Sequence, residues 1–340
     1  MVCAPLSNPP RCKPVIRHSK IDLSAARVFW TLYLEIDKTS RSQSQFRRRT
    51  NARRVIQSAP TDSIEQSGRK MGIFQSGRGH LHYEDIGSGR PILLIHGFTN
   101  YGLSWVPQLA ALVHSGYRVI LPDLRGHGAS SPATALCTVS DLAADMIDLL
   151  NHLDAGSVTL CGLSLGGMVA LQMALDQPDR VAGIIVANSR SSFTGPEMTA
   201  MVNAWVALFL QEDGPLKRLH ATWPTLVKEE FRESAPGRAA FDAWARVLAT
   251  VQGLSLCHVA QGMTQFDLRG RLAAIRTPAL VISGEHDRLF SPDQSREISG
   301  QIAGSRCSVI PGAGHLSSLD SPDQFNRLLL DFLASYFPVV

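Results

Sequence analysis

Between residues 158 and 175 the chain passes from an apolar run, Val158-Thr159-Leu160-Cys161, through Gly162-Leu163-Ser164-Leu165-Gly166-Gly167, into a second apolar run from Met168 to Leu175. The first run has the length of a buried strand and the second that of a helix, which puts Ser164 on a sharp strand-to-helix turn. A turn of this kind tolerates little besides glycine at its flanks. It also lifts a hydroxyl clear of the sheet and sets it against backbone N–H groups, as a nucleophile requires. Gly-x-Ser-x-Gly is weak evidence alone, so its partners elsewhere in the chain decide its meaning.

Downstream, Leu280-Val281-Ile282-Ser283-Gly284-Glu285-His286-Asp287 reads as a buried strand ending in an acid. Further on, Cys307-Ser308-Val309-Ile310-Pro311-Gly312-Ala313-Gly314-His315 reads as a short strand followed by a glycine-rich loop that carries a histidine. Serine, acid and histidine thus follow one another in that order, each just beyond the carboxyl end of a strand, where open parallel sheets assemble their sites. Asp287 is the expected acid. Glu285 competes with it, but would point elsewhere if the strand ends at Gly284. Upstream, Arg90-Pro91-Ile92-Leu93-Leu94-Ile95-His96-Gly97-Phe98 is another buried strand running into His-Gly. In this arrangement the backbone N–H groups of Phe98 and Leu165 would face the oxygen of a tetrahedral intermediate.

From Ile73 onward strand-like and helix-like runs alternate, the pattern of a mostly parallel sheet covered by helices on both faces. Strands are expected near 80–85, 91–96, 118–122, 157–161, 181–187, 279–283 and 306–310, and helices near 104–115, 139–153, 166–176, 292–302 and 322–337. Val139, Leu142, Met146, Leu149 and Leu150 recur at helical spacing, which turns Asp141, Asp145 and Asp148 outward. Alternation breaks between about 191 and 276, where helical patterns follow one another. Met198, Met201, Val202, Trp205, Val206, Phe209 and Leu210 make one apolar helical face there, and Phe241, Trp244, Val247, Leu248 and Val251 another.

With the serine turn, the acid, the histidine, the His-Gly strand end and the turn Pro122-Asp123-Leu124-Arg125-Gly126-His127-Gly128-Ala129-Ser130, the chain resembles the α/β-hydrolase family over residues 71 to 340. The run from Asp267 to Pro278 and the run Ala313 to Leu319 look most like the 3-oxoadipate enol-lactonase-like branch. The resemblance implies an α/β-hydrolase fold, with residues 191–276 as a helical cap inserted after the sixth strand and lying over the serine. It implies acyl transfer on carboxylic esters or lactones, with Ser164 attacking, His315 moving the proton, Asp287 orienting the ring, and no metal or organic cofactor. C–C bond hydrolysis of meta-cleavage products and cofactor-free perhydrolysis share this turn and stay open, as does a catalytically idle small-molecule binder. The serine excludes dehalogenases and epoxide hydrolases that need an aspartate at that point.

Around this core, His96, Asp123, Arg125 and His127 read as structural residues of the oxyanion loop and the adjoining turn. Arg190, beyond a strand end at the entrance to the helical segment, is a candidate partner for a substrate carboxylate, and Trp205 is a candidate substrate-binding residue. The alternative acid position that follows strand 181–187 in some family members is occupied by Asn188-Ser189-Arg190 and is empty of an acid.

Charge divides the chain. Residues 1–70 carry 14 Lys or Arg against 5 acids, a balance of +9, whereas the remainder stands at −5 within an overall +4. The acidic body argues against a nucleic-acid surface. The basic, polar head is expected to be disordered, with Met71 as the working start of the enzyme; a targeting or nucleic-acid arm is the alternative. No stretch reaches the roughly 18 apolar residues of a membrane span. The six cysteines lack paired spacing and are expected to be reduced thiols, with Cys161 and Cys307 buried in strands, which fits a cytoplasmic protein acting on a small molecule.

Overall fold

The computed structural model describes residues 70–338. The expectations for the basic head, including Cys3 and Cys12, lie outside the described residues.

The chain opens with a hairpin, β1 (Lys70–Ser76) and β2 (Gly79–Ile86), and continues through β3 (Pro91–Ile95), α1 (Val106–His114), β4 (Arg118–Pro122), α2 (Val139–His152), β5 (Val158–Leu163), α3 (Leu165–Asp176) and β6 (Val181–Ala187). Five helices follow without a strand: α4 (Pro196–Phe209), α5 (Gly214–Leu226), α6 (Glu229–Glu233), α7 (Ala235–Leu248) and α8 (Gly253–Met263). Alternation then resumes with β7 (Ala279–Gly284), α9 (Pro292–Gln301), β8 (Arg306–Ile310), α10 (Ser317–Asp320) and α11 (Pro322–Tyr336).

The eight strands form one sheet in the order β1-β2-β4-β3-β5-β6-β7-β8. Pairing is antiparallel for β1 with β2 and for β2 with β4, and parallel from β4 to β8. Helices cover both faces, so the central strands have no polar side to show. Ile92 to Ile95 in β3, and Val158, Leu160 and Cys161 in β5, are fully buried, which is why these strands read as continuous apolar runs. At the edges the pattern relaxes: Met71 and Ile73 of β1 are exposed, and so is Cys307 of β8. The expectation of a buried Cys307 is therefore corrected, because an edge strand is covered less than a central one.

A second correction concerns α2. Its start is a capping box, with Thr138 accepting from the Asp141 N–H and Asp141 from that of Thr138. Asp145, expected on the solvent face, is only 1% exposed. It accepts from Arg78 Nε and Arg125 Nε, both at 2.8 Å. Helical spacing placed it opposite the sheet, but the hairpin and the turn after β4 bring two guanidinium groups over that side.

The insertion α4–α8 leaves and rejoins the sheet through a narrow neck. Phe193 N–H donates to Phe266 O and Leu268 N–H to Ser191 O, both at 2.8 Å, around an antiparallel bridge between Ser192 and Asp267. On α4, Met198, Val202 and Phe209 are buried as expected, whereas Leu210 is 61% exposed and does not join the face.

Candidate active site

The turn between β5 and α3 is built by close backbone approach. A Cβ on Gly162 would stand 2.0 Å from Gly166 O, and one on Gly166 would stand 2.0 Å from Ile95 O. Both separations are far inside van der Waals contact, so any side chain there would push β3, β5 and α3 apart. Between them Ser164 adopts φ 56° and ψ −116°, a conformation costing on the order of 1–3 kcal/mol that its surroundings must hold. They hold it firmly: Ser164 N–H donates to Ala187 O at 2.9 Å, and Ser164 O accepts from Ser189 Oγ at 2.7 Å and Gly167 N–H at 2.9 Å. Leu165 begins α3, so its N–H is among those with no acceptor inside the helix.

Asp287 lies three residues past β7 and His315 five past β8. His315 Nδ1 and the Asp287 carboxylate Oδ2 are 2.9 Å apart. The same oxygen accepts from Asn188 Nδ2 at 3.0 Å, and Oδ1 accepts from the N–H groups of Leu289 and Phe290 at 2.8 and 2.9 Å. Burial, the largest single influence, pushes this carboxyl up; the charge of the His315 ring and the hydrogen bonds from His315, Phe290 and Asn188 together overcome it, and the group is held below its ordinary value. Glu285, the competing acid, is exposed and accepts from Gly312 N–H at 2.8 Å, bracing the loop that carries His315. Asn188 fills the alternative acid position. It acts there as a strut, with φ 47°, donating to Asp287 and accepting from Ser317 Oγ at 2.5 Å.

On the other side of Ser164 runs the loop after β3. His96 accepts from Leu124 N–H through Nε2 at 3.0 Å, so its proton resides on Nδ1, which donates to Gly97 O at 2.8 Å. Asp123 accepts from Gly102 N–H at 2.7 Å and Ala129 N–H at 2.8 Å. These two residues hold the loop and the neighbouring turn, as their positions suggested. Among the described residues the Phe98 N–H meets no acceptor. Thr99 beside it is held at φ 63° by two residues of the insertion: Trp244 Nε1 donates to Thr99 O at 2.6 Å and Arg218 Nη1 to Thr99 Oγ1 at 3.2 Å.

These pieces surround one cavity of about 170 Å³. Ser164, His315, Gly97 and Phe98 form its floor, and Met198, Met201, Trp205, Arg218 and Trp244 come from the helical insertion above. Trp205, expected to bind substrate, lines this cavity, stacked on the Phe98 ring at 5.4 Å between centroids. Arg190 does not. Its guanidinium lies 5.4 Å from the centre of the Phe290 ring and 5.7 Å from that of Phe193, and donates to Met198 Sδ. Phe193, Met198 and Phe290 line the cavity, whereas Arg190, expected to meet a substrate carboxylate, is not part of that lining. The buried cation of the lining is Arg218 on α5, 7% exposed. Nothing in the text around it, Leu216-Lys217-Arg218-Leu219, set it apart from an ordinary surface basic residue.

Residues 90–322 match the family model of the alpha/beta hydrolase fold. The chain belongs to this family and is a hydrolase by its relatives. A protein of Variovorax paradoxus bearing the name carbamate hydrolase RutD is 33% identical over 258 residues, 75% of this chain and 96% of that protein. The 3-oxoadipate enol-lactonase 2 of Acinetobacter baylyi is 30% identical over 253 residues, 73% of this chain and 90% of that one. Among solved structures, a thermophilic esterase from Thermogutta terrifontis superposes with a TM-score of 0.72 at 28% identity, covering 78% of this chain and 99% of the other. Among the described residues no helix is long and apolar enough to cross a membrane.

Proposed function

We propose that the protein cleaves small carboxylic esters or lactones through an acyl-enzyme on Ser164. The observation that carries this reading is the convergence on one cavity of Ser164 at a strained turn, the His315 ring hydrogen-bonded to a buried carboxylate, and the Phe98 loop.

In the cycle, Ser164 Oγ attacks the carbonyl carbon while His315 Nε2 takes its proton, and the carbonyl oxygen takes up the negative charge. Phe98 and Leu165 N–H groups stabilise that oxygen, each worth about 3 kcal/mol by analogy with other oxyanion holes. Asp287 fixes the ring with its proton on Nδ1 and stabilises the imidazolium that forms. His315 then protonates the leaving oxygen, and water enters by the same route to release the acid. In a lactone the leaving oxygen stays attached to the acyl chain, and one acid product results.

Esterase and enol-lactonase names among the relatives and neighbours support this reaction class. The small volume supports a short substrate, since sites for drug-sized ligands run to about 300–1,000 Å³. The test is a series of 4-nitrophenyl esters from acetate to decanoate, with γ-butyrolactone, on the wild type and on Ser164→Ala. Turnover should favour the short acyl chains and fall by a factor on the order of 10⁴ or more in the variant. A fluorophosphonate should label Ser164 alone. Undiminished turnover in Ser164→Ala, or labelling at another residue, would overturn the assignment.

A further inference from the structure

Arg218 differs from two other well-packed cations among the described residues, Arg118 and Arg125. Arg118 makes a two-pronged pair with Asp85, both contacts at 2.9 Å, and Arg125 pairs with Asp145. Those guanidinium groups are balanced by carboxylates. Arg218 is more deeply buried than either, yet among the described residues no acidic side chain pairs with it. Its one hydrogen bond goes to a neutral hydroxyl, that of Thr99, and its buried Nε has no acceptor. The rest of its surroundings are aromatic faces: the guanidinium carbon lies 4.4 Å from the centre of the Trp205 ring, 5.4 Å from Phe98 and 5.8 Å from Phe209. Burial lowers its pKa to about 10, with no carboxylate to offset that, and the group stays charged at neutral pH.

Stacking on aromatic rings compensates only part of the cost of taking a guanidinium out of water. An arginine offers five N–H donors in a planar fork that matches a carboxylate. Here one donor is used, and the residue lines the cavity onto which Ser164 and His315 open. The charged side chains Glu197 and Arg288 also reach this lining, but both are exposed at its outer part, so neither neutralises the buried charge. A buried positive charge with spare donors beside a nucleophile is matched by an anion that arrives with the substrate.

We propose that Arg218 anchors a carboxylate of the substrate, so that the natural substrate class is a small ester or lactone bearing a free carboxylate. This rests on the acyl-transfer reading of the site and narrows it. The rings of Phe98, Trp205 and Phe209 hold the guanidinium in place, and Thr99 fixes one end of the fork beside the cavity that the residue lines.

Two matched substrate pairs test it, each corrected for spontaneous hydrolysis. In 4-nitrophenyl hydrogen glutarate against methyl 4-nitrophenyl glutarate the carboxylate is on the acyl side. In 4-acetoxybenzoate against methyl 4-acetoxybenzoate it is on the leaving group. The wild type should favour the acid of at least one pair by about tenfold or more in kcat/KM, chiefly through KM, as expected for a charge-assisted hydrogen bond. Arg218→Met should lower that acid-to-neutral ratio about tenfold, and Arg218→Lys should keep part of it. A measurement on the unmodified protein covers the case of a poorly folding variant. Butanoate should quench tryptophan fluorescence, through Trp205, at concentrations about tenfold below isosteric butanamide.

The proposal is overturned if the wild type hydrolyses neutral esters and is labelled at Ser164 yet prefers neither acid and binds butanoate no better than butanamide. It is equally overturned if Arg218→Met lowers kcat on acid and neutral substrates alike, because Arg218 would then act through Thr99 on the oxyanion loop. Absence of both turnover and Ser164 labelling strikes the acyl-transfer reading instead, and the butanoate titration still decides whether a carboxylate is held.

Discussion

Replacing Asp287 by Asn separates the orienting role of the carboxylate from the volume it fills. The carboxylate accepts four hydrogen bonds and donates none: Oδ1 takes the Leu289 and Phe290 N–H groups, and Oδ2 takes His315 Nδ1 and Asn188 Nδ2. An amide has one accepting end. With its oxygen toward the two backbone N–H groups, its NH₂ faces the Asn188 NH₂ and forces His315 Nδ1 to become an acceptor, which moves the ring proton to Nε2. The ring can then no longer take a proton from Ser164. With the amide turned over, two buried N–H groups confront an NH₂, at a cost of about 1–3 kcal/mol for each group left unpaired. The first orientation is the less costly, so the fold survives and the tautomer is wrong. Losing a correctly placed base and the stabilised imidazolium is worth roughly 5 kcal/mol, which corresponds to a fall in kcat of about 10³–10⁴. Steady-state hydrolysis of 4-nitrophenyl acetate by purified Asp287→Asn, with its unfolding midpoint measured alongside, reads both parts. Glu285→Gln is the control and should stay within about threefold, since Glu285 accepts from a loop N–H and does not touch His315. A folded Asp287→Asn variant within tenfold of wild type would refute the reasoning.

His127 is fully buried with its ring against Phe98, and burial lowers its pKa to about 3. The unfolded chain therefore binds the extra proton first, and this residue's contribution is intact above pH 6.5 and declines as the pH falls from there toward 3. At pH 5 the loss is roughly 2 kcal/mol, and His127→Gln should lose that much less stability than wild type between pH 7 and pH 5 in urea unfolding; equal losses would show that the ring is solvated in the native state. Asp145→Asn leaves the Arg125 guanidinium without its carboxylate on a buried side of α2 and should cost about 3 kcal/mol or somewhat less, because Arg78 reaches solvent. A denaturant midpoint unchanged from wild type would mean that the arginines find water instead.

Much of the sheet was legible because its central strands are buried on both faces and so appear in the sequence as nearly uninterrupted apolar words: residues 118–122 and 181–187 are strands at the expected bounds, and the more exposed edge strand 306–310 was found as well. The serine turn was legible for a different reason. A Cβ on either Gly162 or Gly166 would fall 2.0 Å from a backbone oxygen, so local sterics write themselves into local sequence. Asp145 was misread because helical periodicity reports which side faces the sheet and says nothing of what another segment lays over the opposite side. Arg125 and Arg78 arrive there from a turn and a hairpin far away in sequence.

The same distinction separates Arg190 from Arg218. Arg190 was singled out by position, just beyond a strand end, and position at the rim of a parallel sheet is a property of topology that sequence order reveals. Yet the two aromatic rings it packs on, Phe193 and Phe290, come from segments nearly a hundred residues apart, and they line the cavity whereas it does not. Arg218 was passed over because an arginine on a helix is ordinarily a solvated surface charge. What sets it apart is that among the described residues no acidic side chain pairs with it, and that is a property of packing in three dimensions: α5 inserts it among Phe98 from the loop after β3 and Trp205 and Phe209 from α4. The residues proposed for the chemistry sit on turns and loops at strand ends, where the pattern is short-range and readable. The residue proposed to select the substrate, Arg218, sits on the helical insertion, where α4, α5 and α7 are placed by contacts with one another and with the loop they cover, so its setting is legible only after the insertion has been packed.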